Sequence, residues 1–243
     1  MSIGDAKLRG FSQGLYEISS TPKELIGTLR IDHFGRKFRY CYAGSTALNP
    51  GMLSVGADIN ANHVNTAMGS AVAVGTEVID VPISAGTAIA ENALRGGFLQ
   101  INDGTGEGHS YPIESNAAAS ATATSVAVAL AVGIKVALTA TSEVSLITSQ
   151  FYGTQESTTV YPPAGVPLIA VTANYYYWSQ TGGMACVYTY ETTGTGNNVE
   201  QSADSAGAVN TIDSDATEAM SIGFIVGTAG VSTEYKPIFL TLD

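Results

Sequence analysis

Residues 100–113 read QINDGTGEGHSYPI, and what they form decides the fold. Gly104, Gly106 and Gly108 follow the apolar run FLQI at 98–101. A phosphate-cradling loop needs a strand, a glycine-rich turn and then a helix whose N-terminus faces the anion. Here the next residues are HSYPIES, which alternate apolar and polar side chains and contain Pro112, so they predict a second strand. No Walker lysine follows, and Gly-Thr-Gly-Glu-Gly is not the dinucleotide spacing. Asn102-Asp103-Gly104 suits a turn with positive φ, which glycine adopts without a Cβ clash. The stretch therefore predicts a β-hairpin. A calcium loop on Asp103 and Glu107 is the lesser alternative, because calcium takes six to eight oxygens and only two carboxylates are present.

Strand signals extend in both directions. LIGTLRID (25–32) and KFRYCYA (37–43) flank HFGR, which reads as a turn. TEVIDVPI, GGFLQIND, HSYPIES, SVAVALAV and SEVSLIT recur between Gly and Asn/Asp signals. The uncharged run at 116–134 is long enough to suggest a membrane span, yet Val126, Val128, Leu130 and Val132 alternate with alanine, which is a strand period. Residues 175–190, YYYWSQTGGMACVYTY, read as two aromatic strands around a hairpin at Thr181-Gly182-Gly183. The expected fold class is all-β, with two β-sandwich or barrel-like modules and an extended N-terminal arm. The expected divisions are a basic arm and first hairpin at 1–45, a first module at 46–150, a Pro/Thr/Gly-rich linker at 151–165 and a second module at 166–243.

Charged residues make up only 13% of the 243, about half the usual share of roughly 25%. A surface so poor in charge is easiest to explain if partners cover much of it. Net charge is −11, unevenly spread. Residues 1–40 hold seven basic residues (Lys7, Arg9, Lys23, Arg30, Arg36, Lys37, Arg39) against four acids. The rest hold three basic residues against seventeen acids, a net −14 that should repel nucleic acid. The arm, with Leu15, Tyr16, Ile18, Leu25 and Ile26 as apolar anchors, is expected either to be partly disordered or to become ordered on a partner.

Chemistry is thinly signalled. Asp213, Asp215 and Glu218 form the densest carboxylate cluster; it reads as a capped, solvated helix start, with a metal site or an acid–base pair of a hydrolase as the sharper alternatives. His33, His63 and His109 sit in no HExxH or HxH pattern, and AGSTA around Ser45 is not a nucleophile elbow. Cys41 and Cys186 have no metal-ligand spacing, and Cys186 is expected as a small apolar filler. The expected site therefore has no catalytic, cofactor-binding or metal-ligating residue. In NYYYWSQ (174–180), Tyr175 and Tyr177 share one strand face and Tyr176 and Trp178 the other. Such a strand is covered on both sides, or turns one face to another subunit.

A family resemblance runs through these pieces. Residues 14–53, GLYEISSTPKELIGTLRIDHFGRKFRYCYAGSTALNPGML, carry an L-Y-x-I-S opening, an L-G-T-L-R-like step, a G-R-x-F-R-Y strand and an A-G-x-x-A-L turn. With NHVN (62–65), GGFLQINDGTGEGHSYPIESN (96–116), KVALTATSEVSLI (135–147), GVPLIAVTANYYYWSQTGG (165–183) and STEYKPIFLTLD (232–243), the series resembles virion structural proteins of tailed bacteriophages. The resemblance implies a capsid decoration, or cement, protein on the outer capsid surface, made in the host cytoplasm. Its implied partners are the major capsid protein and copies of itself in a trimer, with no nucleic acid, membrane, cofactor or catalysis. A tail or fibre component that binds a host receptor or glycan, stacking sugar on NYYYWSQ, is the alternative.

Overall fold

The computed structural model describes residues 10–192, 194–212, 220–227 and 232–243. They carry sixteen strands. First come β1 (Leu29–Ile31), β2 (Lys37–Ala43) and β3 (Ser54–Val55). Then β4 (Thr66–Ala67), β5 (Val78–Pro82), β6 (Phe98–Asp103), β7 (Ser110–Asn116), β8 (Ser125–Leu130) and β9 (Glu143–Ile147) make a sheet of their own. The chain then returns to the first sheet with β10 (Tyr152–Thr154), β11 (Pro163–Pro167), β12 (Tyr176–Thr189), β13 (Asn198–Gln201), β14 (Val209–Thr211), β15 (Gly223–Ile225) and β16 (Glu234–Thr241). The fold is all-β, in two barrel-like units.

The opening stretch is a hairpin. β6 and β7 pair antiparallel, with Leu99 opposite Tyr111 and Gln100 opposite Ser110. Gly104, Gly106 and Gly108 all take positive φ in the turn. A Cβ on Gly106 would lie 2.7 Å from Leu138 Cδ2, so the turn both needs glycine's backbone freedom and folds down onto the core. The six strands run in the order β4-β9-β6-β7-β8-β5. The Thr66 hydroxyl on β4 donates to Pro82 O on β5 at 2.9 Å, tying the two end strands together. Alternation sends Val126, Val128 and Leu130 of β8 inward, as their spacing predicts. Nineteen buried residues, all between Met68 and Leu146, form this unit's own core. Its two ends are neighbours, because Thr66 pairs with Val144 and Ala67 with Glu143. We call it the inserted barrel.

Everything else builds the host module. β12, β14, β13, β15 and β16 pair in succession, and β16 pairs again with β12, which closes a ring. Val187, Val199, Val209, Ile222, Ile225, Ile238 and Leu240 fill it. β2 lies against the first half of β12, with Tyr40 opposite Trp178 and Phe38 opposite Gln180.

Three sequence expectations are corrected here. Thr181-Gly182-Gly183 is no hairpin: β12 runs straight through as one strand of 14 residues. The glycines instead mark a register shift against β2, with Gly183 at φ 83°, where the strand passes from β2 to β16. Residues 151–165 are no linker between consecutive modules. Tyr152 pairs with Tyr42, and Pro163 and Gly165 pair with β3, so this stretch closes the host module after the insertion. The expected first module at 46–150 therefore loses its ends to the host, and the second gains β1 to β3.

The described part of the N-terminal arm is the third correction, because it is packed. Phe11, Leu15 and Ile26 lie on Phe38, Tyr40 and Trp178. The buried Gln13 side chain accepts from Tyr40 Oη at 2.6 Å and donates to Glu17 O at 2.7 Å and Tyr176 O at 3.0 Å. Gln13 O accepts from Trp178 Nε1 at 3.1 Å and Arg30 Nη1 at 2.9 Å. The arm's cations are largely internal fasteners. Arg30 lies 4.9 Å over the Phe11 ring, Arg36 pairs with Asp32 at 2.8 Å, and Arg39 pairs with Asp243. The carboxyl of Asp243 loses some of its ease of ionisation to burial, but the hydrogen bonds from Arg39 and Thr181 outweigh this and hold it below the usual carboxylate range. Lys7 and Arg9 lie outside the described residues.

Candidate interaction surface

The second half of β12 alternates: Ala185 and Val187 point into the ring, while Met184 and Cys186 point out. β16 does the same, with Lys236, Ile238 and Leu240 inward and Tyr235, Pro237 and Phe239 outward. Ordinarily the outward positions of such strands are polar. Here they are apolar. Met184 stands opposite Phe239 and Phe239 opposite Phe224, so three strands present one row, with these side chains 44%, 40% and 38% exposed. The two phenylalanine rings stack at 5.3 Å. A second row sets Cys186 opposite Pro237, and a third Tyr188 opposite Tyr235, whose rings lie 5.4 Å apart. Among the described residues, no charged side chain interrupts these rows; Glu234 is at the margin, and Lys236 turns inward and pairs with it.

Beside the rows runs a groove of about 380 Å³, lined by Pro50, Val166, Pro167, Leu168, Cys186 and Tyr235. Gly51 forms its floor, and a Cβ there would come within 2.6 Å of Tyr235 Cε1. Ridge and groove therefore share Cys186 and Tyr235. Burying aromatic rings of this size contributes strongly to association, since aromatic anchors dominate interface energetics.

The other sequence candidates are scattered. Asp213, Asp215 and Glu218 lie outside the described residues. His33 is exposed in the β1–β2 turn against Phe34, and His109 sits in the β6–β7 turn with Nδ1 2.9 Å from Gly106 O. His63 closes a short 3-10 turn, Ala61–His63, in the chain between β3 and β4. It is buried, its Nε2 has no hydrogen-bond partner among the described residues, and burial lowers its pKa. Ser45 is exposed just after β2. Cys41 is fully buried, and desolvation pushes its thiol far up; Cys186, expected as interior filler, is exposed. Asp103 accepts from Gly104 N at 2.8 Å as a turn residue. Among the described residues, no three His, Cys, Asp or Glu side chains gather as a metal site would require, and no helix is long and apolar enough to cross a membrane.

The NYYYWSQ stretch is covered on both faces within one chain. Trp178 lies under Phe11 at 5.1 Å, and Tyr177 faces Cys41, Leu48 and Val171. Tyr176, Tyr42 and Tyr152 form a cross-strand row at 4.7 and 4.9 Å between rings. Desolvation raises the Tyr152 hydroxyl to about 12. Because these rings lie face to face or tilted onto one another, their faces are already engaged. A separate cleft of about 620 Å³ between the barrels is lined by Ile26, Arg39, Ile59, Phe98, Phe151 and Asp243, among others.

The apolar rows were missed in the sequence, though EYKPIFLT carried the signal: Tyr235, Pro237 and Phe239 on one face and Ile238 and Leu240 on the other are all apolar, more than a one-sided barrel strand needs. No family model, curated protein or solved structure matches this chain.

Proposed function

We propose that this protein works by contact, as a decoration protein on the outer surface of a tailed-phage capsid, with the major capsid protein lattice as its target. The single observation that carries the contact reading is the set of exposed apolar rows on β12, β15 and β16 of the host barrel, led by Met184, Phe239 and Phe224. Contiguous apolar surface rimmed by polar residues marks interaction sites. The capsid as target rests on the family resemblance of the sequence. Many weak contacts, repeated over a lattice, give avidity that no single interface has to supply. A protein that binds only the expanded lattice stabilises that state by mass action. The glycan-binding alternative has less support, because in NYYYWSQ Tyr177 and Trp178 are buried and the Tyr176 ring packs against Tyr40 and Tyr42.

Co-sedimentation tests the proposal. Purified full-length protein is mixed with expanded heads that lack it. Saturable binding of many copies per head is expected. Failure to pellet with heads at any concentration contradicts the reading.

A further inference from the structure

We infer that the cleft between the two barrels is a binding site for a small organic monocation, an ammonium group carried on an aromatic or aliphatic body. The site is separate from the apolar rows on β12, β15 and β16 and does not depend on the capsid as target.

Both barrels build the cleft. Phe98 and Ile147 come from the inserted barrel, and Ile26, Phe151 and Tyr161 from the host. The two chain crossings run in contact along it: a Cβ on Gly56 would lie 3.1 Å from Gln150 Cα. At a second point, a Cβ on Gly96 would lie 3.4 Å from Ile26 O, so the inserted barrel also touches the N-terminal segment. Contacts at two points leave a preformed gap of about 620 Å³, the size and the inter-domain position common for small-ligand sites. Phe98 and Ile59 are 43% and 44% exposed, apolar surface that a ligand body would cover.

Charge selects the head group. Among the described residues, three charged side chains line the cleft: Arg39, Asp58 and Asp243. Arg39 and Asp243 are spent on each other, with Nε to Oδ2 at 2.8 Å and Nη2 to Oδ1 at 2.6 Å. Arg39 Nη1 donates to Gly27 O at 2.8 Å, and the guanidinium lies 5.7 Å over the Phe151 ring. Lys37 donates to Asp243 O at 2.8 Å and does not line the cleft. Asp58 has no ion-pair or hydrogen-bond partner among the described residues. The lining therefore holds one uncompensated carboxylate. A single positive charge complements it, whereas an anion meets Asp58 and finds Arg39 already engaged. The faces of Phe98 and Tyr161 add an attraction for a cation that a neutral molecule does not gain.

Three probes with one body test this: phenethylammonium, phenethyl alcohol and hydrocinnamate carry a positive, a neutral and a negative head. Each is titrated into the isotope-labelled full-length chain, without capsid, and read by amide chemical shifts. Phenethylammonium should shift residues 56–59, 96–98 and 147–151 saturably and bind at least about fivefold tighter than the alcohol, with hydrocinnamate weakest. Asp58→Asn should erase that preference and leave binding of the alcohol unchanged. Asp58 is exposed, so the variant keeps its fold, which unchanged shifts elsewhere in the spectrum would show. Phe98→Ala should weaken the cation and the alcohol alike, because it removes part of the wall that covers the body. No saturable shift in the cleft up to about 20 mM phenethylammonium, equal binding of the three heads, or a preference that survives Asp58→Asn overturns the inference.

Discussion

Replacing Gln13 by Ala should loosen the N-terminal segment from the host sheet. The side chain makes three hydrogen bonds, at 2.6, 2.7 and 3.0 Å, in a site 2% exposed. Alanine removes all three. Tyr40 Oη loses its acceptor, while Glu17 O and Tyr176 O lose a donor. At a net of about 1 kcal/mol per bond, the loss is about 3 kcal/mol. For a chain of this length that corresponds to a fall in Tm of about 6–12 °C. The assay is built in, because Trp178 is the chain's one tryptophan and lies 5.1 Å from Phe11 of the docked segment. Its emission should shift to the red and become quenchable by acrylamide below the main unfolding transition. Gln13→Glu should be at least as damaging, since its carboxylate would face the Glu17 and Tyr176 carbonyls. Wild-type emission and a Tm within about 1 °C in Gln13→Ala would refute the claim that this side chain latches the segment.

Three further outcomes follow from the same geometry. Burial lowers the His63 pKa, so the fold favours the neutral ring; this contribution is complete above 6.5 and is lost as pH falls through the lowered value. Urea midpoints of wild type should therefore drop more than those of His63→Gln between about pH 7.5 and about pH 5, and parallel lines would contradict this. Residues 64–148 should fold alone, because their core is their own and their ends pair; a peptide without cooperative unfolding would contradict this. In the host core, Thr154 Oγ1 lies 2.9 Å from Tyr177 Oη, which lies 3.1 Å from Ser54 Oγ, which donates to Gly165 O at 2.8 Å. Tyr177→Phe breaks this chain of hydroxyls in a buried site and should cost about 1–3 kcal/mol in denaturant unfolding; no measurable loss would mean the chain is not formed.

What the sequence made legible was local. Alternation in FLQIND, SYPIES and SVAVAL gave the strands of the inserted barrel, and three glycines marked its hairpin turn. The pairing of residues 37–42 with 176–182 was not legible, because it joins segments separated by a whole inserted unit. Without that pairing, the leading hairpin looked like an arm, and its cations looked like a partner site. Gly182-Gly183 misled for a related reason. The same positive φ serves a hairpin or a bulge, and only the neighbouring strands decide which. The apolar exterior was hidden because pattern reading assigns apolar residues to the inside, whereas Tyr235, Pro237 and Phe239 face out.

Electron cryo-microscopy of expanded heads saturated with the protein, at a resolution that separates strands, tests the contact account most directly. The account predicts density for the protein in many copies on the outer surface, with Phe224 and Phe239 of every copy covered by protein. Bare heads, or bound copies whose Phe224 and Phe239 remain open to solvent, would contradict it.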